Sequence, residues 1–232
     1  MILATRSTLL ERMDTDCDGY ADYQRCIRDL GRVNAVTLTH RPTLAWLTRM
    51  TAGLSEFSLL DVACGHGDAL RRIHAWSTRR GLTARLDGID LNPWSRRAAM
   101  DATLPEAGIR YITGDVFAYE PARPYDFIIS SHFTHHLTDA QVVQFIAWME
   151  RHARRGWFIS DLHRHWFPYY GMEVLARLML WHRFIRYDGR ISVARAFTRA
   201  EWERLLAEAG LDHGEVSLRW HTPFRYCLAR TC

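Results

Sequence analysis

Apolar and polar positions in the N-terminal fifth of the chain follow the spacing of amphipathic helices. Apolar residues recur three or four positions apart, as at Ile27 and Leu30. A polar run over residues 14–18 and a proline at Pro42 interrupt this pattern, as helix boundaries do. The sequence therefore predicts two or three helices before any strand, forming an N-terminal helical cap over residues 1–56.

From Ser58 onward, short apolar runs rich in β-branched residues alternate with longer segments of helical periodicity. The predicted strands are Leu59–Ala63, Ala84–Asp90, Arg110–Thr113, Asp126–Ser131 and Trp157–Asp161, and the predicted helices are Ala69–Arg80, Pro93–Thr103 and Asp139–Arg151. Such alternation is typical of a parallel sheet covered by helices on both faces. Two capping boxes, Thr138 with Gln141 and Thr198 with Glu201, mark helix starts.

Beyond the fifth predicted strand, the pattern predicts an insert and a terminal hairpin. The insert, residues 162–197, is rich in arginine and aromatic residues and contains a predicted helix, Met172–Trp181. An insert at this point overhangs the ligand crevice of an open α/β sheet, so we expect it to act as a lid. Residues 198–232 contribute a helix and two apolar runs, Val216–Trp220 and Arg225–Ala229, which we expect to pair antiparallel. The predicted fold is α/β, with a doubly wound, seven-stranded, mostly parallel sheet.

Composition narrows the chemistry and the compartment. All 30 basic residues are arginine, against 26 acidic residues, so no mechanism can use a lysine. The net charge of +4 is spread along the chain, which does not favour nucleic acid as a partner. Five cysteines without a CxxC pair indicate a reducing compartment. No apolar run approaches the roughly 18 residues of a membrane span, so we expect a cytoplasmic protein.

The most informative segment is LLDVACGHGD, residues 59–68, in which an apolar strand runs into two glycines and a helix. Small residues there allow a ligand to approach the backbone, and the helix N-terminus offers free N–H groups. The turn alone could also require the glycines. A dinucleotide fingerprint has a third glycine, where this chain has Leu70, and Asp61 would repel a pyrophosphate. Asp61 suits a cationic ligand better, although a nicotinamide-dependent oxidoreductase stays as an alternative.

This segment resembles motif I, DxGxGxG, of the class I S-adenosylmethionine-dependent methyltransferases. The matching positions are Asp61, Ala63, Gly65 and Gly67, with Ala63 in place of the first glycine. The resemblance covers roughly residues 57–161. It implies a Rossmann-like core that binds S-adenosylmethionine through these four positions.

Two further segments match the family at its usual spacing. Asp90 at the end of the second strand resembles the family's acceptor for both ribose hydroxyls. Asp115 resembles the acid that binds the adenine amino group, and the next backbone N–H, that of Val116, would meet the ring. Leu91 and Phe117 could sandwich the adenine, although apolar residues beside strands equally suit the core.

The run YDFIISSHFTHHL, residues 125–137, resembles motif IV, whose strand ends where the methyl group is transferred. The resemblance implies that Ser130, Ser131 and His132 face the methyl group. The run is similar to that of methyltransferases acting on quinone precursors and on polyketide-derived phenols. Because adjacent histidines point to different sides and no HxxxH partner follows, we expect no metal at His135 and His136.

The resemblance implies O-methylation of a small aromatic or polyketide-like acceptor, typical of secondary metabolism, or C-methylation of a quinol-type ring. A hydroxyl acceptor needs a base, for which His132 is the first candidate and Asp161 and His163 the reserve. Arginines of the insert could bind an anionic acceptor, and Arg32 could contact the carboxylate of the cofactor. A homodimer, peripheral membrane contact through the insert, and an arginine-rich module binding RNA or a membrane surface stay open.

Overall fold

A seven-stranded sheet organises the chain in the computed structural model, which describes residues 3–179, 182–212 and 214–232. The strands are β1 Glu56–Val62, β2 Thr83–Asp90, β3 Arg110–Thr113, β4 Tyr125–Ser131, β5 Ala153–Leu162, β6 Val216–His221 and β7 Arg225–Thr231. Their order across the sheet is β3-β2-β1-β4-β5-β7-β6. Strands β1 to β5 are parallel, while β7 is antiparallel to both β5 and β6. The predicted fold class, including the antiparallel terminal pair, is confirmed.

The helices are α1 Arg12–Thr15, α2 Tyr20–Val36, α3 Arg41–Met50, α4 Asp68–Arg79, α5 Pro93–Asp101, α6 Asp139–His152, α7 Trp166–Leu178, α8 Arg183–Arg195 and α9 Arg199–Glu208. Both predicted capping boxes are present, at the starts of α6 and α9. Three helices precede the first strand, as predicted. Within the described residues, no helix is long and apolar enough to cross a membrane.

Element boundaries differ most from the prediction at α7 and β5, and the insert contains one helix that was not predicted. The insert's helix α7 begins at Trp166 because the His165 side chain accepts a hydrogen bond from the backbone N–H of Phe167 and so caps it. The predicted end of this helix, Trp181, lies outside the described residues. Strand β5 begins at Ala153, four residues early, because Arg154 extends along the sheet with its guanidinium on Asp126 of β4. A second insert helix, α8, follows without a distinct sequence signal.

Hydrophobic cores fill both faces of the sheet, as the continuous apolar runs of the strands require. In β4, Ile128 faces the core formed with α6 and α9, while Phe127 and Ile129 face the opposite core under α3 and α4. All three side chains are essentially inaccessible to water. The long α2 packs on α5 and on α8, so it crosses the edge of the sheet instead of joining either core.

Gly88 of β2 gives α4 room to approach the sheet. A Cβ atom at this position would lie 2.7 Å from the Cys64 sulfur and 2.8 Å from a methyl carbon of Leu70. In the dinucleotide fingerprint, a third glycine on the helix provides this space. Here Leu70 occupies the helix position, and the glycine lies on the facing strand instead.

We expect Gly88→Ala to destabilise the fold by roughly 1–3 kcal/mol, because the added methyl overpacks a closed interface. The matched control is Gly171→Ala within α7, where nothing lies within 4 Å of a Cβ atom. Alanine is the better helix former, so this change should stabilise the fold by at most about 1 kcal/mol. Urea denaturation of both variants checks the opposite signs, and equal effects would contradict the packing role of Gly88.

Candidate active site

The candidate site lies at the carboxyl edge of the sheet, where neighbouring strands lead to helices on opposite faces. Strand β1 lies between β2 and β4 at this point, which is the position of the ligand crevice in open α/β sheets. The loop after β1 has three positive backbone angles, with φ of 58° at Ala63, 52° at Gly65 and 73° at Gly67. A Cβ atom at Gly67 would lie 2.3 Å from the Tyr111 hydroxyl, so this position accepts only glycine.

Asp61 places a buried carboxylate beneath this loop. Its residue is 2% exposed, and among the described residues no group donates a hydrogen bond to its carboxylate. Burial, followed by the charges of Asp68 and Asp90, raises the pKa of Asp61 well above its usual value. Three carboxylates around one small volume make a site that attracts a cationic group.

Asp90 and Asp115 both hold loop backbone at the ends of their strands. The Asp90 carboxylate accepts hydrogen bonds from the backbone N–H groups of Gly65, at 2.8 Å, and Asn92, at 2.9 Å. Asp115 accepts one from the N–H of Phe117 at 2.9 Å and is itself exposed. Each carboxylate oxygen has further lone pairs, so both residues can also accept hydrogen bonds from a ligand.

The two apolar residues expected beside adenine lie in different surroundings. Leu91 is 72% exposed, which separates it from the core, whereas Phe117 packs against the core with one side. Val116, which lies between Asp115 and Phe117, is buried. An exposed leucine next to Asp90 fits a residue that a planar ligand would cover.

Helices α2 and α3 cover the glycine loop. His40 and Asn34 both bond to the Asp68 carboxylate, through contacts of 2.8 and 3.1 Å. A Cβ atom at Gly31 of α2 would lie 2.8 Å from the His66 ring. Burial raises the pKa of Asp68, but the His40 hydrogen bond and charge outweigh it and hold that pKa well below the usual range. The N-terminal helices are thus fastened to the loop that forms the cradle.

At the end of β4, the three residues expected near the methyl group have different roles. The Ser130 hydroxyl donates to the carbonyl of Val62 at 3.1 Å, while Ser131 is half-buried. His132 has a positive φ of 55°, and its Nε2 is buried without a hydrogen-bond partner. Burial and then the charge of Arg225 lower the pKa of His132 to about 3. The ring is therefore neutral at physiological pH, and more weakly basic than the sequence argument assumed.

Asp161 at the end of β5 anchors the loop that follows β4. It accepts hydrogen bonds from the Thr134 hydroxyl, the His135 backbone N–H at 2.9 Å and His135 Nδ1 at 2.7 Å. On the other side of the ring, His135 Nε2 lies 3.4 Å from a Glu11 oxygen. Burial lowers the pKa of His135, but the charge and hydrogen bond of Asp161, with those of Glu11, raise it to about 9.

Glu11, His135 and His136 bring three metal-ligand side chains together, with ligand atoms within 4.8 Å of one another. With the pKa of His135 raised to about 9, both of its ring nitrogens carry protons at neutral pH and can donate to Asp161 and Glu11. In this protonation state the cluster forms an ion chain of Asp161, His135 and Glu11. Burial and then His135's charge lower the pKa of His136 to about 4, so it adds no second cation.

A family profile described as a methyltransferase domain matches residues 35–215. The chain belongs to this methyltransferase family. Among solved structures, the magnesium protoporphyrin IX methyltransferase of Synechocystis PCC 6803 with bound SAM is 14% identical, with a TM-score of 0.62 over 97% of this chain and 99% of that chain. The plantazolicin methyltransferase BpumL in complex with SAH is 14% identical, with a TM-score of 0.66 over 95% and 92%.

These structural similarities show the fold, and the family match confirms the resemblance found in the sequence. No curated protein matches the methyltransferase by sequence. The oxidoreductase alternative is wrong, since the family match covers the glycine loop and the following strands.

His163, directly after β5, belongs to an aromatic cluster. The ring of Phe224 stacks on His165 and on Phe167, with centroids 5.3 and 5.1 Å apart, and the ring of Tyr226 lies 4.7 Å from His163. Burial and then neighbouring His165 lower the pKa of His163 to about 4. We call these five residues the aromatic shelf; the ring of Phe224 is stacked with those of His165 and Phe167, and the ring of Tyr226 is edge-on to His163.

Three arginines of the insert have acidic partners. Arg164 bonds to the Ala196 carbonyl and Glu201, Arg177 to Glu173, and Arg183 to Asp18 and Asp22. Arg32 pairs with Asp29 at 2.7 Å on an exposed face of α2. The buried cation that sequence analysis missed is Arg225, at the start of β7, which is 1% exposed. An arginine opening an otherwise apolar strand was its available signal.

The ion chain at Asp161 predicts a pH-dependent stability for the methyltransferase. Folding raises the pKa of His135 from 6.5 to about 9, so the folded chain keeps a proton that the unfolded chain releases in this interval. The contribution of His135 to stability is full below pH 6.5 and falls as pH rises through about 9. We expect the free energy of unfolding in urea to drop by roughly 1–3 kcal/mol between pH 6.5 and 8.5.

His135→Asn keeps a donor near Asp161 but removes the cation. It should be less stable than the wild type at pH 6.5 and should lose most of the drop toward pH 8.5. His74→Asn, a half-buried histidine of α4, is the control and should retain the drop. An unchanged pH dependence in His135→Asn would contradict the charged state of this ring.

Proposed function

We propose that this methyltransferase uses S-adenosylmethionine to methylate a hydroxyl oxygen of a small aromatic or polyketide-like acceptor. The observation that carries the proposal is His132, an imidazole with a lowered pKa and an unpartnered Nε2, directly after β4, the strand that pairs with β1 ahead of the glycine loop. The core at residues 57–161 would bind the cofactor. The N-terminal helices and the insert at 162–197 would enclose the acceptor, and residues 198–232 would complete the sheet.

The donor groups fit the cofactor. When bound, S-adenosylmethionine supplies a methyl group activated by a sulfonium cation. Buried Asp61 accepts no hydrogen bond from the described residues, and because burial, Asp68 and Asp90 raise its pKa, an ammonium group beside it would stabilise its ionised form. We assign the remaining contacts as the resemblance implies. Asp90 would bind the ribose, and Asp115 and the Val116 N–H would bind adenine between Leu91 and Phe117. The cofactor would lie close to the backbone at Ala63, Gly65, Gly67, Ser130 and Ser131.

His132 is the proposed base for the hydroxyl proton. Its positive φ and the bond from its backbone N–H to the Ser160 carbonyl, 3.0 Å, hold the ring at the sheet edge. With a lowered pKa, the ring takes a proton only in a concerted transfer or from an acidic hydroxyl. Asp161 is occupied by Thr134 and His135, so we assign it to positioning; His163 keeps an unpartnered buried Nδ1 and stays in reserve.

C-methylation of a quinol-type ring is the second candidate, and the low basicity of His132 favours it, since an electron-rich carbon needs less help from a base. A labelled-methyl assay over phenols and quinols, with the product bond identified by NMR, separates oxygen from carbon. Absence of transfer to every phenol, with transfer to a quinol carbon, would overturn the first proposal.

The partners and the cellular location of the protein are proposals as well. An exposed apolar face on α7, with Trp166, Phe167 and Leu178, suits either a second copy or a lipid surface. The buried free thiols Cys26, Cys64 and Cys227 support a reducing, cytoplasmic location. A role in secondary metabolism follows only from the proposed acceptor class.

Asp61→Asn should separate binding from stability. The change removes a buried charge beside two other carboxylates, so we expect the ligand-free protein to gain about 1–2 kcal/mol of stability at pH 7. The same change should weaken S-adenosylhomocysteine binding at least about tenfold in calorimetry, because a charged acceptor is lost. Asp212→Asn on the surface should change neither quantity. Wild-type affinity in Asp61→Asn would contradict the proposed ammonium site.

His132→Ala should lower the transfer rate to a phenol by at least about 100-fold, the low end of general-base catalysis, while S-adenosylhomocysteine affinity holds. Because the pKa of His132 is lowered to about 3, its protonation should not reduce the wild-type rate between pH 7 and 5. The contrary result is a wild-type rate that falls toward low pH with a midpoint near 6.5, in a profile that His132→Ala does not show. It would mean that His132 has the pKa of an ordinary exposed histidine.

A further inference from the structure

Buried polar atoms without partners are concentrated at the carboxyl edge of the sheet. Six residues there have such atoms: Asn34, His40, Thr43, His132, His163 and Arg225. They come from the end of α2, the start of α3 and the edges of β4, β5 and β7. Each such atom costs about 1–3 kcal/mol relative to a bonded one, so their concentration at one edge indicates groups that a ligand completes.

Arg225 is the most costly of them because it is charged. It is 1% exposed, its Nη2 donates to the Thr37 carbonyl at 3.0 Å, and its Nε and Nη1 have no partner. Among the described residues, no carboxylate oxygen lies within 4.0 Å of its guanidinium. A buried, uncompensated guanidinium is strongly unfavourable unless an anion reaches it.

The position of Arg225 places this cation on the acceptor side of the crevice. Arg225 lies in β7, which is two strands from β4 in the sheet, and it pairs with Leu162 at the end of the intervening β5. The carboxylates that suit the cofactor lie on the other side of β4, around β1 and β2. Arg225 is close enough to His132 that its charge is a main cause of that residue's lowered pKa. The crevice therefore has an anionic half for the cofactor and a cationic half beside the base.

We infer that Arg225 binds a carboxylate on the acceptor, so that the acceptor is an aromatic hydroxy acid with its hydroxyl toward His132. The inference rests on the proposed function. A guanidinium offers parallel N–H groups that match both oxygens of a carboxylate, and here Nε and Nη1 are the two left unbonded.

Carboxylate binding at Arg225 also affects the base. The bound anion offsets the arginine charge that opposes protonation of His132. An acceptor with the carboxylate therefore meets a more basic imidazole than a neutral phenol does. This coupling selects acceptors by rate as well as by affinity.

The test compares Arg225→Met with Arg219→Met, an exposed arginine on the neighbouring strand β6. Calorimetry in the presence of S-adenosylhomocysteine would measure binding of salicylate and 3-hydroxy-2-naphthoate and of their uncharged amides. For the wild type we expect the acids to bind at least about tenfold more tightly than the amides. Arg225→Met should lose this preference, keep its affinity for S-adenosylhomocysteine, and unfold at the same or a higher temperature, since an unpaired buried charge has been removed.

Three results would overturn the inference. The first is equal wild-type binding of acids and amides. The second is a loss of S-adenosylhomocysteine affinity in Arg225→Met with the acid preference intact, which would place the arginine on the cofactor's own carboxylate. The third is a lower unfolding temperature with the acid preference intact, which would make the role structural. Failure of the wild type to bind S-adenosylhomocysteine would instead contradict the proposed function, and the acid–amide comparison can still be made without it.

Discussion

The buried carboxylate of Asp161 fixes the edge of the sheet at which the candidate site is built. It accepts hydrogen bonds from Thr134 and from both the backbone and the ring of His135. The other side of the His135 ring forms an ion pair with Glu11. One ion chain thus joins the end of β5, the loop after β4 and the N-terminal segment. Buried ion pairs contribute little net stability, but removing one member leaves an uncompensated charge, so the chain specifies one arrangement of these three segments. His132 follows β4 directly, and its position depends on that arrangement.

Environment, not residue type, decides what each histidine of this edge can do. His135 lies between two carboxylates and has its pKa raised to about 9, while His132, beside Arg225, has its pKa lowered to about 3. The two rings are three residues apart in the sequence. One is a permanent cation that holds structure, and the other is a neutral ring that can accept a proton. Opposite shifts on neighbouring groups are typical of sites that assign acid and base roles.

Local features of the sequence were enough to predict the sheet, the glycine loop and the capping boxes, because strand periodicity and turn chemistry act over a few residues. The roles of Arg225 and Glu11 were not predicted, because each residue reaches the site through contacts with residues far away in the sequence. Arg225 contacts Thr37, and Glu11 contacts His135. The ion pairs of the insert could not be predicted from the sequence for the same reason, because Arg164 and Arg183 meet their acidic partners through tertiary contacts.

The buried polar groups without hydrogen bonds at the carboxyl edge affect how helices α2 and α3 stay packed over that edge. Six residues there have buried side-chain atoms without a hydrogen bond, and each such atom is unfavourable relative to a bonded one. The helices α2 and α3 nevertheless cover the edge, held by His40 and Asn34 on Asp68. Ligands that supply a cation at Asp61 and an anion at Arg225 would relieve both halves together. Occupancy of either half should then favour the covered arrangement that the other half needs, which couples cofactor and acceptor binding without direct contact between the two charges.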